Sequence, residues 1–290
     1  MVKNQKYGVI WVLFLLVLML AACGQGTAPA ASVTTQVTTV TTCLTTRATT
    51  MPTTQATTKA TTRVTTQPTT QPTTQPDTRK LVVIDAGHQA VGNFQKEPIG
   101  PGATEMKYKV ASGTRGVVTG QAEYELNLKV ALKLQALLEA RGYRVVMIRT
   151  THDVNISNAE RSMIANELGA DVFIRIHGNS VEDQSVSGIL TICQTENNPY
   201  NSQTHAESYL LSSLVLDETA RATGGKKRSV WQTDTMSGVN WCQVPVTIVE
   251  MGFMSNPEED RLMATDDYQE KLALGMANGI DRYFERPAFG

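Results

Sequence analysis

The segment Leu81-Val82-Val83-Ile84-Asp85-Ala86-Gly87-His88 constrains this chain more than any other. Four apolar residues, three of them β-branched, run into a short polar turn. A continuous apolar run ended by glycine reads as a strand buried on both faces. His88 then lies just past the strand's carboxyl end, the edge at which open α/β sheets bind ligands. Val172-Phe173-Ile174-Arg175-Ile176-His177-Gly178-Asn179 repeats the design. Two histidines delivered by two buried strands face one crevice, and only His152 and His205 complete the histidines of the sequence.

The segments between and after these strands alternate. Residues 123–141 carry Leu126, Val130, Leu134, Leu137 and Leu138 on one helical face, and Gly142 stops the helix. Residues 143–148 form the next strand and 157–168 the next helix, followed by strands over 171–176 and 187–193. A helix over 206–219, a short strand over 229–232 and a buried strand over 246–249 follow. Asn256-Pro257 with Glu259 opens a helix. Residues 266–284 form the closing helix. Residues 89–120, rich in Gly, Pro and polar side chains, read as one long loop over the first strand's carboxyl end, a length associated with function or mobility. Alternation of this kind predicts a single α/β domain over 80–290, with a mostly parallel twisted sheet flanked by helices.

The preceding residues are of a different kind. Residues 1–6 carry two lysines and no acid, residues 8–22 are almost wholly apolar, and Leu20-Ala21-Ala22-Cys23 follows. This describes a secretory signal over 1–22; its ending resembles the lipobox of bacterial lipoproteins, in which Cys23 is lipidated. Residues 23–79 are dominated by Thr, Gln, Ala, Val and Pro, with Thr-Thr-x repeats. They have too little apolar surface to offset chain entropy and read as a disordered tether. About 50 such residues reach roughly 150 Å when polyproline-like and about 40 Å as a coil, enough to sample an adjacent cell wall. The expected location is the outer face of the bacterial cytoplasmic membrane, with the domain exported and lipid-anchored. A formal net charge of -1 gives no electrostatic case for nucleic acid.

A catalytic zinc ion commonly takes three protein ligands and keeps a fourth position for water. Glu123 and Glu125, at the start of the first helix, both stand near the edge that carries the two histidines, and the pattern does not choose between them. Both also suit a helix N-terminus without any ligand role. Val246-Thr247-Ile248-Val249 delivers Glu250 to its own carboxyl end, and a carboxylate ending a buried strand is costly unless paired or functional.

Together, Ile-Asp-Ala-Gly-His ending at His88, Glu123 before Asn127-Leu128, Arg161 with Ala165-Asn166, Ile-His-Gly-Asn around His177 and Val-Glu-Met-Gly-Phe-Met-Ser-Asn around Glu250 resemble the zinc-dependent N-acetylmuramoyl-L-alanine amidases of the amidase-3 type. The resemblance covers about residues 80–286. It implies His88, Glu123 and His177 as zinc ligands and Glu250 as the catalytic carboxylate. It further implies cleavage of the amide between N-acetylmuramic acid and L-alanine of the peptidoglycan stem peptide. The protein is expected to be monomeric. The sequence departs from the family at Gln89, where a second glycine is more usual, and has no counterpart to the helical insert that plugs the site in some members. A zinc peptidase acting within the stem peptide and a catalytically silent wall-binding lipoprotein are the rival readings.

Other residues are open at this level. Asp85 either orients a ligand histidine or caps the turn. Arg175 either meets a carboxylate in the crevice or faces solvent. Asp234, Asn240 and the tryptophans Trp231 and Trp241 lie in a loop that suits a substrate groove, or pack inward. Cys193 and Cys242 are either a disulfide or two buried thiols.

Overall fold

The computed structural model of the protein describes residues 77–286. The signal, Cys23 and nearly all of the tether lie outside the described residues. Strands β1 (Leu81–Ala86), β4 (Arg144–Met147), β5 (Val172–Asn179), β6 (Ile189–Cys193), β7 (Lys227–Gln232) and β8 (Val246–Phe253) form one six-stranded sheet in the order β4-β1-β5-β8-β6-β7. The first four in that order run parallel; β6 is antiparallel to β8 and β7 parallel to β6. The expected α/β domain with a mostly parallel sheet is therefore what the chain forms.

The apolar runs of β1 and β5 serve two cores because a strand points successive side chains to opposite faces. Val82, Ile84, Val172, Ile174 and Ile176 pack on one face with helices α1 (Glu123–Ala140), α3 (His205–Thr223) and α6 (Asp266–Glu285). Leu81, Val83, Phe173, Val246 and Ile248 pack on the other with α2 (Asn158–Glu167) and the single turn α4 (Ser237–Asn240). The result is three layers. Helix starts follow the sequence signals: Ser157 and Glu160 form a reciprocal capping box, and Asn256 caps α5 (Pro257–Met263). Among the described residues no helix is long and apolar enough to cross a membrane.

One expectation is corrected. Residues 89–120 are not a structureless loop: they contain an antiparallel hairpin, β2 (Asn93–Pro98) and β3 (Met106–Val110). Each strand buries little beyond Glu97 in β2 and Val110 in β3. A ribbon this exposed has no apolar run to read. Its foot is nonetheless fixed: Glu97 accepts from the Ala159 amide, while Trp241 Nε1 donates to the Pro98 carbonyl and Asn240 Nδ2 to the Ile99 carbonyl.

Helices α3 and α6 approach closely through two glycines one turn apart. A Cβ on Gly275 would lie 2.4 Å from Thr219 Cα, and one on Gly279 2.5 Å from Val215 Cα. Backbone cannot yield as a flexible side chain does. Gly275→Ala is expected to lower stability by about 1–3 kcal/mol through overpacking, measured as a lower denaturant midpoint at unchanged slope.

Candidate active site

Three neighbouring strands, β1, β5 and β8, end on one edge of the sheet, and the register places His177 beside Glu250. His88 follows β1 with φ 60°, the one left-handed residue other than glycine among those described. That conformation is sterically costly and persists where surroundings over-determine it. Here Arg161 donates to the His88 carbonyl, and the His88 ring Nδ1 lies 2.8 Å from the Ala111 carbonyl. Gly87 is required by close approach, since a Cβ there would lie 2.2 Å from the His177 ring.

Glu123 comes from the first turn of α1 and is the glutamate that enters the crevice. Its Oε1 lies 3.1 Å from His88 Nε2 and 3.1 Å from His177 Nδ1. Its Oε2 accepts from the Thr114 amide and its Oε1 also from the Gly178 amide. Glu125, the other glutamate of that turn, meets Tyr124 instead. A carbonyl only accepts, so Nδ1 of His88 carries its proton and Nε2 presents a lone pair to a carboxylate oxygen. That contact needs a proton or a cation between the two. Burial works against a charged His88, but the bond and charge of Glu123 outweigh it and raise its pKa. Burial dominates at His177 and lowers it to about 4. The Glu123 carboxyl, despite burial, is held well below its usual range by its bonds to His177 and His88. One donor atom from each of the three residues lies within 4.8 Å of the others, so the group can hold a metal ion.

Glu250 faces this group. Its Oε2 is sealed from solvent with no hydrogen-bond partner, as is Nε2 of His177. Burial, aided by the Glu123 carboxylate and opposed by Arg175, pushes Glu250 up to about 8. His88, His177 and Glu250 line a pocket of about 360 Å3 with Arg175, Lys107 and Tyr108.

The hydrogen bonds of the Asp85 side chain go to arginines rather than to a histidine. That side chain is fully buried, with Oδ1 2.6 Å from Arg161 Nη1 and Oδ2 2.9 Å from Arg175 Nε. Burial opposes its charge, but the two guanidinium groups hold the carboxyl far below the usual range. Arg175 therefore pairs with a carboxylate, as one reading allowed: Arg175 lines the pocket, and its partner Asp85 does not. Asn240 is fully buried and serves the hairpin foot rather than a groove. Asp234 accepts from Thr195 and Asn198 and fixes the same loops. Trp241 packs against the hairpin, whereas Trp231 is exposed, and neither lines the pocket. Cys193 and Cys242 are free, buried thiols, pushed by burial to about 11 and about 12. Sequence reasoning missed Lys107 and Tyr108, because they sit on the unread hairpin, and also the role of Gln89. Gln89 is buried, with Oε1 accepting from Arg161 and from the Ile156 amide.

Residues 82–282 match the family model described as N-acetylmuramoyl-L-alanine amidase. The chain belongs to this amidase family. The uncharacterized protein YqiI of Bacillus subtilis is 28% identical, over 71% of this chain and 86% of its own. The germination-specific N-acetylmuramoyl-L-alanine amidase of the same organism is 27% identical, over 58% of this chain and 74% of its own. The crystal structure of the N-acetylmuramyl-L-alanine amidase Ami1 from Mycobacterium smegmatis superposes with a TM-score of 0.63 at 25% identity, covering 70% of this chain and 96% of that one. This amidase is accordingly an N-acetylmuramoyl-L-alanine amidase, a hydrolase of peptidoglycan.

Removing Asp85 from its two arginines leaves buried charge uncompensated. Asp85→Asn is expected to cost about 3–5 kcal/mol at neutral pH. Because the folded carboxyl sits below its unfolded value of about 3.9, its contribution is complete above that pH and is lost as pH falls further. Denaturant midpoints taken from pH 7 downward should show that acid limb in the wild type and a shallower one in the variant.

Proposed function

We propose that this amidase is zinc-dependent, with His88, Glu123 and His177 as the metal ligands and Glu250 as the general base and acid. The observation that carries the reading is the convergence of two imidazole nitrogens on one buried carboxylate oxygen, with an unpartnered carboxylate oxygen alongside. Two imidazoles and a carboxylate are a donor set suited to catalytic zinc. When bound, zinc supplies Lewis acidity that lowers the pKa of water and polarises the scissile carbonyl.

The chain's own groups do the rest. Glu250 accepts a proton from the attacking water and later returns it to the amine of L-alanine as the amide breaks. A carboxyl pushed above its ordinary range is matched to a proton that must be both taken and given near neutral pH. The Ala111 carbonyl fixes the His88 tautomer, and the Thr114 and Gly178 amides orient Glu123. The bond cut joins the lactyl group of N-acetylmuramic acid to L-alanine.

The enzyme acts as an exported monomer held to the outer face of the cytoplasmic membrane by a lipid on Cys23, with residues 23–79 as tether. The basic start, apolar core and Leu-Ala-Ala-Cys sequence support this, and all proposed catalytic groups come from one chain. Cys23→Ala should move the protein from the membrane fraction to the medium, followed by immunoblot.

Glu250→Gln should keep its zinc, read by elemental analysis, and lose about 10²- to 10⁴-fold in turnover. Near wild-type turnover would remove Glu250 from its role. Digested sacculi examined by mass spectrometry should contain glycan strands freed of intact stem peptides. A zinc chelator should abolish that release and added zinc restore it; shortened stems would identify a peptidase instead.

A further inference from the structure

His88, His177 and Glu250 sit where two pockets of opposite character meet. The first, about 360 Å3, is lined by the hairpin residues Lys107 and Tyr108 and by Thr235 and Ser237. The second, about 290 Å3, is lined by Ser112, Thr114, Asn179 and Ser180, with glycines between them. Ala111 and the three site residues line both.

Charge separates the two. Arg175 and Lys107 line the first pocket; the second has no lysine or arginine along it. Lys107 has Glu105 at 3.8 Å and stands opposite Glu97 in the hairpin register, and its side chain stays 42% exposed. Arg175 shares the single carboxylate of Asp85 with Arg161. Arg149 is buried on the adjoining backbone, donating to the Ala86 and Gly87 carbonyls. Three guanidinium groups thus face Asp85 at this edge, Glu250 is the one carboxylate in the lining of the first pocket and Lys107 adds a further cation there, whereas Glu123 and Glu250 both line the second.

The substrate bond also joins unlike arms. One is an uncharged sugar ring; the other is a stem peptide bearing carboxylates. One extended residue advances a chain by about 3.3 Å. The residue next after L-alanine therefore lies one such step further on, and Lys107 lines the same cavity as His88, His177 and Glu250. We propose that the stem peptide lies in the first pocket, where Lys107 recognises the carboxylate of its second residue, and that the muramic sugar lies over the second pocket. This rests on the amidase reading and adds an orientation and a specificity to it. Tyr108 lines the first pocket too, with Lys96 over its ring at 5.8 Å. The hairpin is thus a recognition wall clamped at its foot by Glu97, Pro98 and Ile99.

The test uses the full chain and two muropeptides that differ only at the second stem residue, which carries either a free α-carboxylate or its amide. The wild type should prefer the acid. Lys107→Ala should lower kcat/KM on the acid about five- to tenfold more than on the amide, through KM rather than kcat, as expected for loss of one charge pair at a rim. Lys107→Arg should restore the preference and Lys107→Glu reverse it. Zinc content and circular dichroism identify any variant that fails to fold, and Lys107→Arg then carries the comparison. If Lys107→Ala lowers both substrates equally, or leaves the wild-type preference intact, the proposal is overturned while the amidase reading stands. If the wild type cuts neither muropeptide at the lactyl–alanine bond, the amidase reading falls and takes the proposal with it.

Discussion

A single buried aspartate holds the working edge of this domain together. Asp85 at the end of β1 bridges Arg161 of α2 and Arg175 of β5, all three removed from water. Desolvating three charges is expensive, and the cost is offset only where geometry is good and the remaining donors are satisfied. Arg161 meets that condition by also donating to the Ala86 and His88 carbonyls and to Gln89. The ion cluster thereby pins the turn that puts His88 into its left-handed conformation. What sits above the sheet edge depends on what is locked below it.

The same edge carries charges of both signs in sequence. Beneath it the arginines outnumber the aspartate. At it, one oxygen of Glu123 confronts two imidazole nitrogens, an arrangement that can hold a metal ion. Beside it, Glu250 is raised by burial and by its acidic neighbour. Each perturbation follows from burying a group close to another of known sign, which is how catalytic sites come to hold carboxylates of unlike character. The hairpin β2–β3 adds a cation and an aromatic ring to one side without entering the central sheet.

Much of the frame could be read directly. The β1 and β5 runs are apolar at consecutive positions because both faces of the sheet are covered, and that pattern announces a central parallel strand. The start of α5 was legible because its cap lies within a few residues of the helix it serves. The hairpin was not, because its strands are mostly solvated and Gly and Pro surround them. The partners of Asp85 were not legible either: Arg161 and Arg175 lie 76 and 90 residues away in the chain. Nor was the fate of Asn240, an amide that suits a groove equally well and instead satisfies buried carbonyls.

By itself, the sequence determined the α/β layering, the strands that end in His88, His177 and Glu250, and the family pattern that singled out Glu123 over Glu125. These depend on hydrophobic periodicity and on residues close to one another along the chain. Only the tertiary structure decided that both histidine nitrogens reach the same carboxylate oxygen, that Asp85 serves arginines rather than a histidine, and that Lys107 stands at the pocket's rim. Those outcomes depend on which distant elements share an edge, and side-chain chemistry at such a junction is set by neighbours that local pattern does not specify.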